Sequence, residues 1–103
     1  MLWDKRKYEI QVKGGCGELL TDGMHGLIQQ LIVTPDSKNT IWSISIRDKG
    51  NDIVYELIDH EGRLDEKSGI PVGADQQERL SINIFDTTAN EKFEILFIVR
   101  ERL

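Results

Sequence analysis

An all-β domain, an antiparallel β-sandwich or jelly-roll-like fold of about six to seven strands with little or no helix, is what this sequence predicts. Three observations carry that expectation. Apolar residues recur with period two in several short runs, most clearly Trp42, Ile44 and Ile46 against Ser43, Ser45 and Arg47. Glycine, proline, asparagine and aspartate cluster between those runs at the spacing of a sandwich or barrel. Finally, the chain closes on a β-branched and aromatic stretch from Phe93 to Val99.

The hairpin over residues 40–58 is the organising unit. Its first strand alternates around Trp42, Asp48-Lys49-Gly50-Asn51 interrupts, and Ile53, Val54, Tyr55, Leu57 and Ile58 follow. Two extended runs joined by such a break read as antiparallel neighbours. Gly50 is expected to supply a positive φ there, and Asp48 and Asn51 to bond to nearby backbone.

Upstream, Tyr8, Ile10 and Val12 alternate with Glu9, Gln11 and Lys13, the pattern of a half-buried strand. Residues 1–7 precede it as an expected N-terminal arm with Trp3 as an anchor. Gly14, Gly15 and Gly17 then break any regular element. Residues 18–33 admit two readings. Leu20, Met24, Leu27, Ile28 and Leu31 fall at helical spacing behind Thr21 or Asp22 as a cap. Against a helix, Gly23 and Gly26 would each cost about 1 kcal/mol relative to alanine. The extended reading is favoured: a short piece around Leu19, a turn at Asp22 and Gly23, and a long strand from Leu27 to Thr34.

Pro35 to Asn39 is a turn cluster. Beyond the hairpin, Asp59 to Gly62 turns the chain again. Residues 63–69 read as a polar connection with Leu64 tucked beneath, Ile70-Pro71-Val72 as extended, and residues 73–78 as a loop. Leu80, Ile82 and Ile84 mark a further strand, residues 86–91 a turn, and Phe93, Ile95, Phe97 and Val99 the inner face of the last strand.

At 103 residues the chain accommodates a single domain, 1–103. Its 39% hydrophobic and 30% charged residues suit a folded protein. A net charge of −5 works against nucleic-acid binding, which needs a clustered positive field, and Lys5, Arg6 and Lys7 form the lone basic run. One cysteine, Cys16, rules out an internal disulfide. With no signal-like or membrane-spanning apolar run, synthesis in the cytoplasm and no membrane partner are expected.

No constellation points to catalysis. Cys16, His25 and His60 lack metal-ligand spacing, and no nucleophile signature accompanies them. Asp48, Asn51 and Asp52 miss the calcium-loop pattern. The pairs Asp59 with Glu61 and Asp65 with Glu66 are expected by chance in an acidic chain. The expectation is therefore a non-enzyme with no cofactor and no metal site.

What the pattern does require is cover. Several runs carry aliphatic side chains on both faces: Leu96 and Ile98 oppose Ile95 and Phe97, Ile28 and Ile32 oppose Leu27, Leu31 and Val33, and Val54 and Ile58 oppose Ile53, Tyr55 and Leu57. Each large aliphatic left in water forfeits about 1.5 to 3 kcal/mol. Either a neighbouring subunit covers them, or the loops over residues 14–26 and 62–78 do. The subunit reading assigns an interface of Trp3, Ile28, Ile32, Val54, Ile58, Leu96 and Ile98 and a homo-oligomer.

The order of an N-terminal arm, the Gly14–Gly17 crossing, a strand ending in Val33-Thr34-Pro35, the Trp42 to Ile46 strand with its Asp48-Lys49-Gly50 turn and the closing Ser81-Ile82-Asn83-Ile84 to Phe93–Ile98 hairpin resembles small β-sandwich accessory proteins of tailed-phage virions. Those are capsid decoration (cement) and head-tail accessory proteins. The resemblance implies a bacteriophage virion structural protein without active site or cofactor, partnered by coat or tail subunits. A monomeric carbohydrate- or peptide-binding module is the alternative, with Trp3 as the one free aromatic platform.

Overall fold

The computed structural model of the chain describes residues 2–73 and 76–101. Eight strands follow in order: β1 (Leu2–Gln11), β2 (Gly17–Leu20), β3 (Gly26–Pro35), β4 (Ile41–Arg47), β5 (Ile53–Glu61), β6 (Leu64–Val72), β7 (Ser81–Phe85) and β8 (Lys92–Glu101). Among the described residues there is no helix, so residues 18–33 resolve to two strands; the turn expected at Asp22 and Gly23 is absent, and residues 21–25 run as an irregular connection with one bridge, Met24↔Glu78. The strands form two antiparallel four-stranded sheets, ordered β1-β8-β3-β6 and β2-β7-β4-β5. The chain changes sheet at every connection except β4–β5, the order of an eight-stranded jelly roll.

The hairpin forms as expected, with one change in its turn. Asn51, not Gly50, takes the positive φ of 68°. The Asn51 amide donates to the Asp48 carbonyl at 2.9 Å, and the Asp52 amide donates to Asp48 Oδ1 at 2.9 Å. Asparagine tolerates the left-handed region because its short polar side chain can bond locally. Two register shifts run through β4–β5. At one of them Asp59 sits at φ 54° and donates its amide to Ser43 Oγ at 3.0 Å.

Trp42, Ile44, Ile46, Ile82 and Ile84 from one sheet meet Ile10, Leu31, Val33, Phe93, Ile95, Phe97 and Val99 from the other, all buried. Trp42 is the largest fully buried side chain. Its Nε1 donates to the Gly62 carbonyl at 2.8 Å, and its ring meets Phe93 edge-on with centroids 5.4 Å apart.

Five expectations need correction. Asp59 to Glu61 are not a turn but the end of β5, and Gly62 and Arg63 alone connect it to β6. Residues 2–7 are not an arm, because β1 pairs with β8 from Leu2↔Glu101 to Gln11↔Lys92. Residues 63–69 are not a connection but most of β6, whose charged run hides the alternation. With that strand and β2 counted, there are eight rather than six or seven. Ile28 is fully buried, because β3 shifts register between Ile28 and Gln30 and thereby changes the phase of everything before it. The extra residue turns Ile28 inward with Leu31 and Val33 and leaves Leu27 half-buried.

Both ends of the sandwich are tied by side chains. At one, Thr40 and Ser37 donate their hydroxyls to the Glu91 carboxylate, fastening the β3–β4 connection to β7–β8. At the other, Glu78 accepts from the Lys49 amide at 2.8 Å and the Gly73 amide at 3.0 Å. The two Glu78 bonds satisfy backbone amides that lie outside the strand ladders.

Candidate functional site

The outer face of the β1-β8-β3-β6 sheet carries aliphatic side chains among its outward residues. Inward positions on β8 are Phe93, Ile95, Phe97 and Val99, so Glu94, Leu96, Ile98 and Arg100 point outward. Strand pairing then fixes four transverse rows. The first is Trp3, Arg100, Leu27 and Pro71; the second is Lys5, Ile98, Gln30 and Lys67. Lys7, Leu96, Ile32 and Asp65 make the third, and Glu9, Glu94 and Thr34 the fourth.

Leu96, Ile98, Ile32 and Leu27 occupy the two middle strands of these rows, all half-buried; charged residues flank the Ile98 and Leu96 rows, and Trp3 and Pro71 flank the row of Leu27. Lys7 stands opposite Leu96 and Lys5 opposite Ile98, where an aliphatic lysine stem can lie along apolar surface with its ammonium in water. A shallow depression of about 390 Å³ opens here, bordered by Lys7, Glu9, Ile32, Thr34, Glu94 and Leu96. The segments expected as covering loops supply strands instead: β2 comes from residues 14–26, and β6 from residues 62–73.

The seven residues assigned to an interface from sequence thus separate into three places. Trp3, 55% exposed, joins Ile32, Leu96 and Ile98 on the face just described. Ile58, 51% exposed, lies on β5 in the opposite sheet, where Val54 is partly packed against the core. Ile28 belongs to the core. Sequence reading missed Leu27, whose outward turn follows from the bulge. Its signal was present: Gln29 and Gln30 are consecutive polar residues within an apolar run, a break in alternation.

An ionic cluster closes one edge of the same sheet from the inside. Arg6 binds the carboxylates of Asp4, Asp22 and Glu101, the last two at 2.6 and 3.0 Å, and donates to the Gly23 carbonyl at 3.3 Å. The Tyr8 hydroxyl donates to the other oxygen of Asp22. The Arg6 hydrogen bond holds Asp4 below the ordinary carboxylate value of 3.8, and the Tyr8 hydroxyl does the same for Asp22 with help from the Arg6 charge. Burial, reinforced by Asp22, pushes the Tyr8 phenol up. Desolvation opposes the charge on Arg6, but its bonds to Asp4 and Glu101 prevail and raise its pKa. Across the sandwich, burial and the bond to Glu66 likewise raise Tyr55.

Groups considered for chemistry are dispersed. Cys16 is exposed in the β1–β2 connection, and His25 lies in the β2–β3 connection. His60 packs edge-on against Trp42 at 5.5 Å, with Nε2 3.0 Å from the Arg63 carbonyl. Asp65 accepts from the Gln30 amide at 2.6 Å and pairs with Arg63 at 3.4 Å, while Glu66 accepts from Tyr55. Among the described residues no three His, Cys, Asp or Glu side chains group as metal ligands.

No protein-family model matches the sequence, and no curated protein matches it. Solved structures do match in shape. A chain in the structure of infectious bursal disease virus Gx strain is 10% identical, with a TM-score of 0.40 over 97% of this chain and 32% of that one. A family two carbohydrate esterase from Cellvibrio japonicus is 9% identical, with a TM-score of 0.40 over 99% of this chain and 36% of that one. The chain therefore spans about a third of the length of either.

Proposed function

We propose that this chain is a non-enzymatic structural protein that works by subunit association through the outer face of the β1-β8-β3-β6 sheet. In this reading it is a virion component, a capsid decoration or head-tail accessory protein carried with coat or tail subunits. It is made in the host cytoplasm and needs no cofactor. The observation that supports the reading is the four-residue apolar group Leu27, Ile32, Leu96 and Ile98, held in adjacent rows of an outer sheet face over which no further strand lies among the described residues. A contiguous apolar group rimmed by charge is the anatomy of an interaction surface.

The test is sedimentation velocity across a concentration series. Wild type is expected to associate, and Leu96→Asp combined with Ile98→Asp to sediment as a monomer with an unchanged β-type circular dichroism spectrum. Wild type that remains monomeric at high concentration, alone and with its virion partners, overturns the proposal.

Trp3 favours a second reading, a carbohydrate- or peptide-binding module, because an indole 55% exposed at the margin of the face offers a stacking platform. Glycan-array signal abolished by Trp3→Ala would select that reading instead.

A further inference from the structure

The charges around the apolar group are not distributed evenly, and their arrangement favours one kind of partner. In the row Lys7, Leu96, Ile32, Asp65 the cation lies on β1 at one edge and the anion on β6 at the other, with two aliphatic residues between them. A row with this order is complementary to itself when turned end for end. We propose that the face docks on a second copy of this chain, about a two-fold axis parallel to the strands. This inference rests on the proposed function and names the partner for that surface.

Rotation about such an axis lays β1 of one copy over β6 of the other and β8 over β3. Lys7 then meets Asp65 of the second copy, and Leu96 meets Ile32. The contact is isologous, so each pairing occurs twice. Two rows away, Trp3 faces Pro71, an aromatic ring on a flat apolar one, while the guanidinium stem of Arg100 crosses Leu27. In the row between, Ile98 faces Gln30. Lys5 faces Lys67 at the rim, where long stems turn their ammonium groups to solvent. Two sheets packed with their strands aligned make the inside of any β-sandwich, so this dimer would continue the layering already present within each copy.

The other in-plane axis, perpendicular to the strands, stacks β1 on β1 and is disfavoured by the same residues. An axis on the Lys5 row or on the Lys7 row sets that lysine against its own copy, an axis between them sets Lys5 against Lys7, and an axis one row further brings Glu94 onto Leu96 and places a carboxylate on the apolar centre.

The footprint bounds the strength. Four strands at about 4.8 Å give a width of roughly 19 Å, and the span from the Trp3 row to the Glu9 row is about 20 Å long. Roughly 400 Å² per copy lies well below the 800 Å² per partner of a standard interface. Association in the micromolar range or weaker follows, strengthened when an assembly presents many copies together.

The experiment is a charge exchange read by sedimentation equilibrium on the full chain, with Lys7→Asp, Asp65→Lys and the double variant compared with wild type and with the Leu96→Asp, Ile98→Asp monomer. Each single reversal is expected to weaken dimerisation by about tenfold or more, and the double variant to recover to within about threefold of wild type. Circular dichroism verifies that all variants keep the fold. Wild type and variants should fit a monomer–dimer equilibrium; a trimer or open-ended polymer overturns the two-fold. Should the apolar double variant abolish association while the charge exchange rescues nothing, the strand-parallel docking is wrong but the association face stands. If wild type never associates, both fall together.

Discussion

Replacing Trp42 by phenylalanine tests the packing on which the whole sandwich depends. The indole is fully buried, and its N–H is the hydrogen bond that ties β4 to the Gly62 carbonyl at the β5–β6 connection. Phenylalanine removes that donor and leaves a buried carbonyl unsatisfied, which costs about 1 to 3 kcal/mol. The smaller ring also leaves about 40 Å³ unfilled, worth roughly 1 kcal/mol at about 24 cal/mol per Å³. Water has no easy route to repair the bond, because Gly62 is held at φ 74° with its Cα face against the Lys38 carbonyl, where even a Cβ would come within 2.6 Å. The expected loss is therefore about 2 to 4 kcal/mol, or a fall in Tm of about 10 to 25 °C at this chain length. Urea denaturation followed by far-UV circular dichroism measures it. Fluorescence gives an independent check, since the variant emits from Trp3 alone and should be red-shifted and open to acrylamide. A loss below about 1 kcal/mol, or a blue-shifted emission from the variant, would refute the account of the core.

Two further outcomes follow from local geometry. Gly26 adopts φ 153°, and a Cβ there would lie 2.2 Å from the Arg100 carbonyl; Gly26→Ala should therefore disrupt the start of β3 and its pairing with β8, lowering stability by about 2 kcal/mol or more in the same denaturation assay. Acid should destabilise the edge held by Arg6. Asp4 and Asp22 have folded-state pKa values below 3.8, so their contribution is present above about that pH and is lost as pH falls through the folded values. Tm measured from pH 6 down to 2 should drop below about pH 4, and Arg6→Gln should flatten that drop by removing the cation that favours both carboxylates.

How much of this was legible in the sequence tracks how local each feature is. The β4–β5 hairpin is the one connection that stays within a sheet, so its alternation and its turn residues specify it without help from distant strands. Every other neighbour in either sheet comes from far along the chain, and strand order could not be read from pattern alone. Only the end of β6, Ile70 to Val72, was legible as extended, because the strand lies at an edge: Asp65, Glu66 and Lys67 are solvated, and only Leu64, Ile70 and Val72 reach the core. The Arg6 cluster was equally hidden, since Asp4, Asp22 and Glu101 meet only when β1, the β2–β3 connection and the end of β8 are brought together. The face carrying Leu96 and Ile98 was readable because β8 is continuous. Ile28 went to the wrong side because one inserted residue reverses a period-two pattern.

The sandwich leaves four open sheet edges, β1, β6, β2 and β5, and each is built in a way that discourages strand addition. β1 is ten residues long, the length at which an edge becomes an aggregation template, yet it carries Lys5 and Lys7 outward and turns Arg6 inward into its three carboxylates. A chain pairing beside it would have to accommodate that inward charge. β6 contains Gly69 and Pro71 and a register shift against β3, and β2 is four residues long. β5 has two register shifts against β4, with Asp59 left-handed at one of them. Edges blunted by inward charge, by proline, by shortness and by register shifts disfavour association along the backbone hydrogen-bonding direction and leave the flat faces, where Leu96 and Ile98 lie. An interface formed there is made of side chains alone, so two substitutions on β8 are enough to remove it while leaving every ladder of the fold in place.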